Sequence, residues 1–81
     1  MSRINALFGR VVKSLRTNLN LTQKELSAKA DIDQTYISTI EKGKASMTFM
    51  LAERLSKGLG VDMFYMFREM DKLDKGRSYG K

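Results

Sequence analysis

The chain has 81 residues, with 15 Lys and Arg against 9 Asp and Glu for a formal charge of +6, and it contains neither cysteine nor histidine. A chain this short folds as one domain around a single modest core, which a dimer would help. The missing cysteines exclude a disulfide framework, a thiolate zinc site and a cysteine nucleophile. The missing histidines remove the commonest general base and metal ligand, so no enzyme, metal or cofactor is expected.

Neither terminus carries a long apolar run, so the expectation is a soluble, cytoplasmic protein without a secretory signal or a membrane span. Residues 71–81 hold four cations against two acids, leaving +4 of the +6 in residues 1–70. A basic folded part invites an anionic partner, nucleic acid or a membrane surface.

In chain order, Ile4, Leu7, Phe8, Val11, Val12, Leu15 and Leu19 recur at three- and four-residue steps, the stripe of an amphipathic helix that Asn18 or Asn20 ends. Gly9 within it has no evident role. Thr22 and Glu25 form a capping box that opens a second helix, with Leu26 and Ala30 inward. Asp33 caps a third helix from Gln34 to about Lys42, with Ile37 and Ile40 inward and Gly43 as its left-handed stop. Gln34, Thr35, Ser38 and Thr39 face outward.

Thr48 caps a fourth helix with the stripe Phe49, Leu51, Ala52, Leu55 and Leu59, ending at Gly58 or Gly60. Asp62 caps a fifth, apolar over more of its circumference than one core can use: Met66 and Phe67 are taken as core, and Met63, Phe64 and Met70 remain for a partner. A membrane-surface helix fits worse, since only Arg68 stands near that face against Asp62 and Glu69. Beyond residue 70 the sequence is polar and aperiodic, so the division is a domain over 1–70 and a flexible tail over 71–81. The fold class is all-α, five helices and no strand.

The stretch TQKELSAKADIDQTYISTIEKG, Thr22 to Gly43, resembles the helix-turn-helix of the phage-repressor-like (Xre, Cro/CI type) DNA-binding family. Thr22, Gln23, Leu26, Ala30, Ile32, Ile37, Ile40, Glu41 and Gly43 stand at the family's spacing, and Leu59-Gly60-Val61 extends the match, which covers roughly residues 4–68. Ser27 stands where the family usually has alanine, and Asp31 where it usually has a turn glycine with positive φ, a conformation Asp adopts more readily than most residues.

The resemblance implies a five-helix lambda-repressor-like domain whose third helix enters the major groove of double-stranded DNA. Gln34 would pair with adenine, and Thr35, Ser38 and Thr39 would contact bases along the same face. Gln23, Lys42, Lys44 and Ser46 would hold the backbone, with Tyr36 either joining them or sitting at the core edge. Arg16 and Glu41 match a structural ion pair of the family, although Arg16 could equally meet a phosphate.

The implied function is a homodimeric, autoregulatory transcriptional regulator on a pseudo-palindromic operator, with no small-molecule ligand. Within the family the resemblance is to restriction–modification controller proteins. An antitoxin-like, phage or plasmid repressor, or a protein adaptor on the same fold, is the alternative.

Overall fold

The computed structural model describes residues 2–79, with side chains up to residue 76, and consists of five helices: α1 Arg3–Asn18, α2 Gln23–Ala30, α3 Gln34–Glu41, α4 Phe49–Leu59 and α5 Met63–Tyr79. No strand occurs among the described residues.

Local side-chain chemistry starts each helix. Ser2, Thr22, Asp33, Thr48 and Asp62 each accept a backbone N–H from the first turn that follows them. At Thr22 the return bond is also made, from its N–H to Glu25 Oε1 at 2.8 Å, and these hydrogen bonds hold the Glu25 carboxyl below the usual carboxylate range. The ends are equally local. Asn20 (φ 59°) closes α1 with bonds from its own N–H to Thr17 O and from Leu21 N–H to Arg16 O, and Asp31 (φ 55°) turns the chain left-handed between α2 and α3.

The core gathers Leu7, Phe8, Val11 and Val12 of α1, Leu26 and Ala30 of α2, Ile37 and Ile40 of α3, Ala52, Leu55 and Leu59 of α4, and Met66 and Met70 of α5. Only the middle turns of α1 face it, so Ile4 and Leu19 at the ends of the expected stripe are exposed. Two glycines permit the closest helix approaches. A Cβ on Gly9 would lie 2.3 Å from the carbonyl oxygen of Ile40, so α1 crosses the C-terminal end of α3 at backbone contact. A Cβ on Gly58 would lie 3.0 Å from that of Ala30. Gly58 therefore serves the α2–α4 contact, and the helix stop falls to Gly60 (φ 75°).

Three expectations need correction. Phe49 does not join the α4 stripe: it is 73 % exposed, because the first turn of α4 overhangs the core and the inward face runs through Ala52, Leu55, Ser56 and Leu59. Met70 does not wait for a partner, being 6 % exposed within the domain's own core. The helix does not stop at residue 70 but runs to Tyr79, since Met66, Met70 and Leu73 continue one stripe against the core. An ion pair between Arg3 and Asp74 ties the extension to the start of α1, and Lys75 pairs with Asp71 at 3.0 Å one turn apart. Residues 80 and 81 of the expected tail lie outside the described residues.

Candidate nucleic-acid interface

The left-handed Asp31 and the cap Asp33 bring α2 and α3 together as two short helices on one tight turn. Ile37 and Ile40 are buried, which turns the opposite side of α3 outward. Gln34 and Thr35 are exposed, and Ser38 and Thr39 are half-buried beside them. The Thr39 hydroxyl donates to Thr35 O at 3.1 Å, which leaves its oxygen free to accept. Tyr36 stands at the margin with its ring partly exposed, beside Thr48, Met50, Leu51 and Arg54. Lys42, Lys44 and Ser46 follow on the surface past the end of α3.

The angle of this helix is held from behind. Arg16 donates through Nε to Glu41 Oε2 at 2.6 Å and through Nη2 to Oε1 at 2.9 Å, a two-pronged pair. A third N–H, on Nη1, reaches Leu21 O at 2.8 Å. The pair is largely dry, with the side chains 12 % and 3 % exposed, and the hydrogen bonds to Glu41 raise the Arg16 pKa further above its ordinary value. One guanidinium thus joins the end of α1, the loop before α2 and the end of α3. Three of its five N–H groups are committed inside the protein and its side chain is only 12 % exposed, which disfavours the alternative of a phosphate contact by Arg16.

Gln23 is placed differently from its expected role. Its Nε2 donates to Glu41 Oε1 at 3.0 Å, so the amide completes the clamp, with one N–H left over for an outside acceptor. No sequence signal gave that partner, because the two residues are 18 positions apart.

On the far side, Phe64 is 72 % exposed and Met63 is half-buried against the core. The structure adds Phe49 and Met50, the latter 69 % exposed, with the Phe49 ring 6.1 Å from that of Phe67 and edge-on to it. The start of α4 and the start of α5 thus carry apolar side chains that the core does not use.

Among the described residues, no helix is long and apolar enough to cross a membrane, and no group of three or more acidic side chains is placed to hold a metal ion.

An all-α domain that turns the polar face of a short helix outward from a tight turn and braces it from behind is a helix-turn-helix DNA-binding module. The chain belongs to the helix-turn-helix family, whose profile matches residues 12–66. It is 36 % identical over 73 residues to the control protein C.MunI of Mycoplasma sp, covering 89 % of this chain and 99 % of the relative. To the control protein C.BamHI of Bacillus amyloliquefaciens it is 38 % identical over 61 residues, 74 % of this chain and 75 % of the relative. Its fold is similar to that of the restriction–modification controller protein C.Esp1396I, solved as a tetramer in complex with its natural 35 base-pair operator. That chain is 32 % identical, with a TM-score of 0.83 over 89 % of this chain and 95 % of the other.

Proposed function

We propose that this protein is a sequence-specific transcriptional regulator that binds a pseudo-palindromic operator as a homodimer, controls a restriction–modification system and represses or activates its own synthesis by occupancy. It works in the cytoplasm and catalyses no reaction. The observation that carries this reading is the exposed face of Gln34 and Thr35 on a helix whose angle is set by the buried Arg16–Glu41–Gln23 cluster. The likeness to control proteins along most of the chain supports the physiological role.

In this reading α3 enters the major groove N-terminus first. The Gln34 amide matches adenine N6 and N7, and Thr35, Ser38 and Thr39 meet bases along the same edge. Lys42, Lys44, Ser46 and Tyr36 hold the backbone on the exit side, and Gln23 offers its remaining N–H to a phosphate beside the free N–H groups of α2. Two such heads sit about 34 Å apart when the half-sites are one turn apart. Phe64, with Met63, Phe49 and Met50, forms the apolar contact that pairs them.

Selection of bound sites from a random DNA pool tests the whole reading, and a pool that yields no palindrome contradicts it. On the recovered site, Gln34→Ala is expected to lose about 1–3 kcal/mol of discrimination. Lys44→Ala is expected to weaken all duplexes alike and to reduce the salt slope by about 1.8, one contact from each protomer of the dimer. Titrations in which both variants match the parent on every duplex would remove α3 from the groove.

Phe64→Asp places a charge in the proposed dimer contact and is expected to shift the protein to monomer and weaken operator binding. Its side chain is exposed, so folding should survive. Sedimentation that finds the dimer intact would move the interface elsewhere.

A further inference from the structure

The DNA-reading face accounts for Lys42 and Lys44 but leaves two cations of α1 without a task. No Asp or Glu precedes Glu25, so residues 2–24 are acid-free and carry Arg3, Arg10, Lys13, Arg16 and Lys24. Two of the α1 cations are consumed internally, Arg3 by Asp74 and Arg16 by Glu41. Arg10 and Lys13 are exposed and form no ion pair among the described residues; the same holds for Lys42 and Lys44.

The packing of α1 decides where these two point. Gly9 touches the backbone of Ile40, Glu41 and Gly43, so the row Gly9, Lys13, Arg16 runs along the C-terminal end of α3. Lys13, with Arg10, Ser14 and Thr17 beside it, lines one groove with Glu41 and with Leu73 of α5. The acid in that groove does not neutralise them: Glu41 is 3 % exposed and both of its oxygens accept from Arg16, with Gln23 also on Oε1. Around the end of the recognition helix, four unpaired cations therefore gather from two separate segments.

We propose that Arg10 and Lys13 form a second phosphate-binding ledge, which grips the DNA backbone beside the groove that α3 enters and joins Lys42 and Lys44 into one basic band. This rests on the DNA-binding reading above and adds to it a sequence-independent contact supplied by α1. Such a ledge raises affinity for any duplex equally and leaves the discrimination of Gln34 untouched.

The test compares the parent, the double variant Arg10→Ala with Lys13→Ala, the charge-keeping double variant Arg10→Lys with Lys13→Arg, and Gln34→Ala. Each is titrated against the selected operator duplex and a scrambled duplex of equal length over a series of salt concentrations. The alanine pair is expected to flatten the plot of log affinity against log salt by about 0.9 for each lost contact, or about 3.6 for a dimer losing two per protomer, on both duplexes. The charge-keeping pair retains the parental slope, and Gln34→Ala changes preference without changing slope. An alanine pair with the parental slope on both duplexes overturns the ledge, and so does weakened binding at an unchanged slope; in either case an acidic protein segment becomes the partner to examine. If the parent shows no preference for the selected duplex, the groove assignment of α3 fails, while a flattened slope still upholds the ledge.

Discussion

Replacing Glu41 by alanine is expected to destabilise the domain by about 3–5 kcal/mol, measured by urea unfolding at neutral pH, because it strands a guanidinium that is only 12 % exposed. The loss is large against the roughly 5–15 kcal/mol that holds a small domain together, so the variant should be partly unfolded at body temperature. The cost lies in the orphaned charge rather than in any large net worth of the pair. The double variant Arg16→Met with Glu41→Leu, which removes both charges and fills their space, should recover most of the stability. It should not recover operator binding, because Leu21 O and the Gln23 amide lose their partners and α3 loses the contacts that set its angle. A Glu41→Ala protein within about 1 kcal/mol of the parent would show that water reaches the pair and that it behaves as a surface bridge.

Gly9→Ala should cost about 2–3 kcal/mol, although alanine favours a helix over glycine by about 1 kcal/mol. The added methyl meets the carbonyl oxygen of Ile40 at 2.3 Å and that of Glu41 at 3.0 Å, both backbone atoms at the end of α3 that cannot swing aside. Relief requires α1 to lift from α3, which also pulls Arg16 from Glu41, so operator affinity should fall together with stability. Gly76→Ala is the matched control. Nothing lies within 4 Å of its added methyl, and it should stabilise α5 by about 0.5–1 kcal/mol. Thermal melts that rank the two substitutions the other way would mean that α1 and α3 are held by something other than this contact.

These two sites show where sequence reasoning reached and where it stopped. Glu41 could be paired with Arg16 only through the family resemblance, since 25 positions separate them and no local pattern joins them. Gly9 carried no signal at all, because its reason is a carbonyl 31 residues further along the chain. The outward face of Gln34, Thr35, Ser38 and Thr39 was legible from periodicity, as each is defined by the buried Ile37 and Ile40 on the same helix. The Gln23 partner was not, and neither was the basic ledge of Arg10 and Lys13, whose facing depends on how α1 crosses α3.

By itself the sequence determined the five helices and the starts of the last four, because Thr22, Asp33, Thr48 and Asp62 act on N–H groups two or three residues away, and the left-handed turn at Asp31 is as local. Tertiary structure alone decided that Phe49 points out and Met70 in, that Gly60 rather than Gly58 stops α4, and that α5 continues to Tyr79. Each of those outcomes depends on which surface another helix covers, and burial against a distant segment outweighs the few tenths to about 1 kcal/mol of local preference that sequence patterns report.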